Sequence, residues 1–339
     1  MDKVVIYGVG DYGKRLYHLL KRMKCQIDYF VQSEEPICDE YEGVKIISFC
    51  DFEALKSEYI VLIAIKDSKV VNSIKQKFKE IEYDLNNLYD YSDFIEKNYS
   101  KMSNIHFEGD KKCLLCGNVM ETFLPGGIHH GLFNTIKVIG GGYREGVYCP
   151  YCRSMDRNRW VYWVLREKTN IFTQACKVLH FAPEVELRKR ISENTLCDYY
   201  AGDIVLEKGR HQIDVTNIPF KEKFFDYIII NHVLEHVKEE GKALEELKRV
   251  IKENGKVILS FPIAIDMDTQ EKETNCDEER LALYGQKDHV RLYGRDYKKR
   301  IADYGFTVHE YIPNQILDEQ EIEKYGFLRE DILLVCERK

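Results

Sequence analysis

The chain is poor in the features that would place it in several broad classes. It has only seven prolines in 339 residues, and with regular apolar periodicity through most of its length this is not the composition of a disordered polymer. Its longest apolar stretches, such as Val61 to Ile65, fall far short of the ~20 residues that cross a bilayer. No membrane span is expected. There is no excess of positive charge either: 50 Lys and Arg against 57 Asp and Glu leave a formal net charge of −7. A general attraction to phosphate backbones is therefore missing, which disfavours a nucleic-acid partner. The N-terminal MDKVVIYGVGDYG has no basic region, long apolar region or small-residue cleavage site, so a cytoplasmic location is expected.

What is present points to an α/β protein of several parts. The length suffices for two or three domains. Strand-like and helix-like stretches alternate at Lys3 to Tyr7, Tyr12 to Met23, Gln26 to Val31, Tyr59 to Ile65 and Ser68 to Phe78, the pattern of a parallel sheet with crossover helices. Between Phe107 and Trp160 the pattern gives way to cysteine pairs and glycine clusters. Alternation resumes from Val161, with strands expected at Lys177 to Phe181, Tyr199 to Ala201, Phe225 to Ile230, Lys256 to Phe261, Thr307 to Ile312 and Asp331 to Cys336. The expected architecture is two Rossmann-like parallel-sheet domains, residues 1–100 and 160–339, joined by a small zinc ribbon at residues 105–159.

At the N-terminus, Val4 to Tyr7 runs into Gly8, Gly10 and Gly13 in a GxGxxG spacing. Such glycines at a strand-to-helix turn let backbone N–H groups approach a phosphate, or simply let helix and strand pack closely. The acidic residue that a dinucleotide fold places at the end of its second strand is displaced here, since Asp28 comes early and Glu34 late. The segment, through IYGVGDYGKRLYHLL and VLIAI, resembles the N-terminal Rossmann-like domain of bacterial polysaccharide-biosynthesis proteins, including sugar-modifying acyltransferases. That resemblance implies a nucleotide-sugar pocket or a surface for oligomer contacts.

Four of the 11 cysteines form two knuckles, Cys113-x-x-Cys116 and Cys149-x-x-Cys152, separated by 32 residues. Two such pairs can close one tetrahedral site, and four thiolates leave no open position, so a structural zinc ion is expected. The other seven thiols are scattered, as in a reduced protein. From Phe107 to Trp160 the charge balance is only +2. Arg153, Arg157 and Arg159 precede an aromatic helix and read as either a phosphate grip or a solvated helix start.

In the C-terminal part, Tyr200-Ala201-Gly202-Asp203 ends a strand with a carboxylate 23 positions after His180, where it can accept two hydrogen bonds from a ribose. Asn231 and His232 follow a buried strand, at the end where open parallel sheets bind ligands. His232 and His236 are four residues apart, a metal-pair spacing on a helix, but no third donor stands near them in sequence and His236 reads better as a hydrogen-bonded core group. With HFAPE at residues 180–184, HVLEH at 232–236 and GQKDHVRLYG at 285–294, this part resembles a family of bacterial class I S-adenosylmethionine-dependent methyltransferases associated with surface-polysaccharide pathways.

The resemblance implies S-adenosylmethionine as cofactor, with His180, Ala182, Glu184, Asp203, Asp214, Val215 and Asn231 around it, and a sugar or nucleotide-sugar acceptor. HFAPE replaces the usual acidic, glycine-rich first loop; Glu184 would face the cofactor's ammonium. A hydroxyl acceptor needs a base. His289 is the first candidate and His232 the reserve, with Arg291 as a clamp for a substrate phosphate or carboxylate. Two other readings stay open: an RNA methyltransferase using the zinc ribbon, and a non-catalytic assembly protein. The oligomeric state is left open, with a homo-oligomer as one form.

Overall fold

The computed structural model describes residues 3–22, 25–36, 38–55, 59–65, 67–90, 109–205, 211–274 and 276–339. The chain forms two compact units, Met1–Glu108 and Gly109–Lys339.

The first unit is built on a six-stranded sheet ordered Glu40–Tyr41, Val44–Ser48, Ile27–Gln32, Lys3–Tyr7, Tyr59–Ile63, Leu88–Asp90. All neighbours are parallel except the short hairpin between the first two. The near-continuous apolar run of its central strand follows from burial on both faces. Val4 and Ile6 pack with Leu16 and Leu20 of helix Asp11–Arg22. Val5 and Tyr7 pack on the other side with Val71, Ile74 and Phe78 of helix Ser68–Glu80. The strands Val44–Ser48 and Leu88–Asp90 are additions to those expected from the sequence, and the expected helix end at Met23 lies outside the described residues.

The second unit carries a seven-stranded sheet ordered His211–Gln212, Cys197–Asp203, Cys176–Phe181, Phe225–Asn231, Ile251–Ser260, Leu333–Arg338, Phe306–Tyr311. Six strands run in one direction, and Leu333–Arg338 alone runs antiparallel to both of its neighbours. Helix Glu240–Val250 lays Ala243, Leu244, Leu247 and Val250 against this sheet, a stripe at helical spacing. Burial of each such leucine contributes about 1.5–3 kcal/mol.

The expected boundary between zinc ribbon and C-terminal domain is corrected by the structure. Helix Asp156–Lys168 runs across it, and the cysteine segment belongs to the same compact unit as the sheet. The physical reason is Arg159, which has no solvent exposure. Its guanidinium donates to the carbonyls of Val147 and Ser154 on the cysteine side and of Tyr325 and Gly326 on the other, and it stacks 3.8 Å over the Phe123 ring. Trp160 adds an indole N–H bond to Tyr311 O at 3.2 Å. Arg159 is thus neither a phosphate grip nor a solvated helix start; it ties the cysteine segment to the C-terminal end of helix Glu319–Tyr325.

Candidate active site

The strand order of the second unit reverses between Cys176–Phe181 and Phe225–Asn231, and a crevice opens beyond the carboxyl ends of strands at such a switch point. A cleft of about 690 Å³ lies there, lined by Ala182, Asp203, Asp214, Val215 and His232 among others. Each residue arrives by a local device. Ala182 leaves its strand with φ +42°, in the left-handed region usually reserved for glycine. Its N–H is held by Gly202 O at 2.8 Å, and its side chain is exposed to the cleft. The missing glycine of this loop is therefore replaced by an alanine in a glycine-like conformation. Asp203 ends the adjacent strand and accepts Val205 N–H at 3.2 Å. Asp214 accepts Thr216 N–H and Oγ1–H on one oxygen, both at 2.8 Å, while Val215 is buried beside it. Acidic groups at the strand ends with apolar Phe181, Ile213, Val233 and Val237 between them fit an adenosine: carboxylates for its hydroxyls and amine, hydrocarbon for its base.

Three of the sequence candidates sit behind this cleft instead of lining it. His180 is fully buried, with ring nitrogens 3.0 Å from Tyr199 Oη and 2.9 Å from Glu184 Oε2. Glu184 Oε1 accepts the side-chain amides of Asn158 at 3.0 Å and Asn231 at 3.4 Å. Asn231 in turn accepts Ser260 Oγ–H at 3.2 Å. Burial pulls the Glu184 carboxyl up most strongly, but the hydrogen bond and charge of His180, a backbone N–H and the Arg157 guanidinium together hold it below its usual range. Glu184 and Asn231, expected to face the cofactor, are joined to each other in this network and are not among the residues lining the cleft; the network fixes the HFAPE turn.

A second cavity of about 330 Å³ adjoins the first. His232, His236 and Asp288 line both. The second also meets Gly140 to Gly142, Arg157, Tyr284, Gln286, Glu235 and His289. His232, at φ +52°, holds its N–H on Ser260 O at 2.8 Å; burial and the Arg157 guanidinium push its pKa down. His289 is 2% exposed and burial pushes it down to about 4. Both rings are neutral near pH 7, able to accept a proton.

Arg291 does not reach this cavity. It has no exposed surface, and its guanidinium donates to Leu234 O, Val237 O, Lys238 O and Glu271 Oε1. With Val290 N–H on Glu235 O at 2.9 Å, it staples segment 288–291 to the HVLEH turn. The substrate clamp is thereby corrected to a positioning residue. HVLEH itself is not α-helical; it forms a 3-10 turn, Leu234–His236. Glu235 and His236 are the residues sequence reasoning leaves out of the site. Their signal is the HxxEH spacing, whose third donor lies 53 residues further on.

In the cysteine segment the four Sγ atoms of Cys113, Cys116, Cys149 and Cys152 lie within 4.8 Å of one another. The Cys113–Cys152 and Cys116–Cys149 pairs are 3.7 Å apart, close to the ~3.8 Å edge of a tetrahedron with ~2.3 Å zinc–sulfur bonds. Both knuckles close alike. Gly117 N–H bonds to Cys113 O and Arg153 N–H to Cys149 O, at 2.8 and 3.0 Å, with φ +80° and +63° at the two donor residues. The donor set and its spacing fit zinc.

In the first unit, Gly8 has φ +109° and a Cβ on Gly13 would lie 1.8 Å from Gly8 O, whereas a Cβ on Gly10 would meet nothing within 4 Å. Turn and close packing account for Gly8 and Gly13; Gly10 leaves open backbone.

The sheet order and the cleft at its reversal define a doubly wound α/β domain. Residues 181–259 match a family model described as a methyltransferase domain, and residues 1–88 match one described as C2185-like, N-terminal. Residues 181–259 of the second unit therefore resemble a methyltransferase domain. The chain is 38% identical over 66 residues to the uncharacterized protein MJ1123 of Methanocaldococcus jannaschii, a match spanning 20% of this chain and 28% of that relative. Among solved structures it is similar to the CurJ carbon methyltransferase, at 14% identity and TM-score 0.35 over 54% of this chain and 53% of that one. It is similar also to the 1,6-didemethyltoxoflavin-N1-methyltransferase of Burkholderia thailandensis, solved with 1,6-didemethyltoxoflavin and S-adenosylhomocysteine. That match has 13% identity and TM-score 0.35, over 54% of this chain and 77% of that one.

Proposed function

We propose that this protein is an S-adenosylmethionine-dependent O-methyltransferase whose acceptor is a sugar or nucleotide-sugar of a surface-polysaccharide pathway. What supports the reading above all is the pair of adjoining cavities that share His232, His236 and Asp288. One has the adenosine-like lining, with Asp203 for the ribose and Asp214 and Val215 for the base. The other is polar and has Arg157 in its wall, a cation suited to an anionic acceptor such as a nucleoside diphosphate sugar.

S-adenosylmethionine supplies a methyl group activated by its sulfonium. The chain's own residues then have two tasks, alignment and proton removal. His232, common to both cavities, takes the acceptor's hydroxyl proton in this scheme; His289, which lines only the acceptor cavity, is displaced from first to second place by that geometry. The cysteine cluster holds one structural zinc ion bracing the ribbon against the sheet.

Three measurements test this. Calorimetry with S-adenosylhomocysteine should give one site per chain. Labelled methyl transfer should then enter a nucleotide-sugar pool and not RNA or protein; label in RNA would replace the acceptor assignment, and absence of cofactor binding would leave a non-catalytic assembly role. Metal analysis should find one tightly held zinc per chain, and none, with four titratable thiols, would remove the ribbon.

A further inference from the structure

The acceptor cavity contains a second set of metal donors that the methyl-transfer scheme leaves unused. One ligand atom from each of Glu235, His236 and His289 lies within 4.8 Å of the others, and all three residues line the cavity. Two are buried with unsatisfied polar atoms. Glu235 is 1% exposed and His289 2%. Among the described residues, neither carboxylate oxygen of Glu235 nor Nδ1 of His289 has a hydrogen-bond partner. His232 Nδ1 lies 3.2 Å from Glu235 Oε1, without the alignment of a hydrogen bond. Buried carboxylates lacking any donor are rare, because stripping a charge of water costs several kcal/mol unless another partner replaces it.

We propose that Glu235, His236 and His289 bind a divalent transition-metal cation of the Mn²⁺, Fe²⁺, Co²⁺ or Zn²⁺ class at the wall of the acceptor cavity. Two imidazoles and a carboxylate are a donor set these ions accept, and three protein ligands leave positions open for substrate. The surroundings prepare the ligands. His236 Nδ1 donates to Asp288 O at 3.1 Å, which leaves its Nε2 lone pair for the ion, the usual arrangement behind a ligating histidine. His289 stands edge-on to that ring with centroids 4.7 Å apart. Arg291 and the Val290–Glu235 backbone bond hold the two ligand segments in register. Adjacent donors on one tetrahedral or octahedral ion with bonds of about 2.1 Å are roughly 3.0–3.4 Å apart, so closure from a separation within 4.8 Å draws the three side chains together by at most about 1.8 Å, a side-chain rotation.

The ion's use in catalysis rests on the methyltransferase reading; its binding does not. Its open positions chelate an acceptor hydroxyl with a neighbouring oxygen, as a vicinal diol of a sugar offers, and make that hydroxyl more acidic. In the transfer, the acceptor O–H bond breaks and its proton goes to His232, the C–O bond forms, and the S–CH₃ bond breaks with its electron pair left on a neutral thioether. No oxidant or reductant is involved.

The probe is Mn²⁺ alone, a hard ion that a four-thiolate site does not select, added to the full chain with its cysteine cluster loaded with zinc. Spin-resonance titration should show one saturable Mn²⁺ per chain, weakened at least tenfold in Glu235→Gln and in His236→Ala. The thermal midpoint and far-ultraviolet circular dichroism, measured alongside, report folding. Anomalous diffraction from wild-type crystals soaked in MnCl₂ locates the ion even if a variant does not fold. A peak among the three side chains supports the site; no peak there, no saturable binding, or binding unchanged in both folded variants overturns it. Mn²⁺ bound normally by a chain that does not bind S-adenosylhomocysteine would keep the metal site and sink the methyltransferase reading.

Discussion

The guanidinium of Arg291 is bonded to the carbonyl of Val237 at 2.6 Å in a site with no solvent exposure, and this contact joins two sequence motifs that are 54 residues apart. Because Arg291 also satisfies Leu234 O and Lys238 O, no other side chain can replace its fork. Arg291→Lys should destabilise the second unit by about 3–5 kcal/mol, the usual cost of breaking a buried ionic network. Chemical denaturation measures the loss. A substrate clamp would behave in the opposite way, raising KM while leaving the denaturation midpoint unchanged.

Asp203 carries the adenosine reading. Its carboxylate ends the strand next to the sheet edge at the cleft and accepts Val205 N–H across a local turn; Asp203→Asn keeps that acceptor and should fold normally. Loss of a charged acceptor for the ribose removes about 1.5–3 kcal/mol. Calorimetry should record S-adenosylhomocysteine binding weakened on the order of 10- to 100-fold, with the thermal midpoint within about 2 °C of the parent. Unchanged affinity would move the ribose elsewhere.

The strands are legible in the sequence where burial on both faces writes a continuous apolar run, as at Val4 to Tyr7 and Ile228 to Ile230, because that pattern depends on the strand alone. Edge strands such as His211–Gln212 and Leu88–Asp90 have no such signature; their neighbours define them. The cysteine knuckles are legible because the spacing within each pair is local. Glu184, Asn231 and Arg291 depart from their expected roles for one common reason. Sequence places a polar residue at the right end of a strand but does not reveal the buried partners that absorb its hydrogen bonds. The same limit hides Glu235 and His236, whose third companion, His289, arrives only through the Arg291 staple.

The glycine loop of the first unit separates its two readings by position. Gly13→Ala places a Cβ 1.8 Å from Gly8 O, a clash that only backbone movement relieves, and should unfold the unit whatever it binds. Gly10→Ala meets nothing within 4 Å, so the thermal midpoint should stay within about 2 °C. If the loop cradles a phosphate, a Cβ there obstructs its approach, and nucleotide-sugar affinity by calorimetry should fall at least tenfold in Gly10→Ala. A scaffold would show no ligand in either protein.

Asp331 makes stability depend on pH in a direction opposite to most carboxylates. Burial first, and the negative Asp156 second, raise its pKa to about 7, against ~3.9 in an unfolded chain. Between those values the native state holds the proton and the unfolded state does not, so stability is lost as pH rises from about 4 to 7. Every tenfold difference in proton affinity between the two states corresponds to about 1.4 kcal/mol, which bounds the penalty at roughly 4 kcal/mol above pH 7. Asp331→Asn keeps the shape without the charge. It should unfold at higher denaturant than the parent at pH 8, and the difference should shrink towards pH 5. Denaturation midpoints of both proteins across that range measure the effect; parallel curves would show that Asp331 titrates normally.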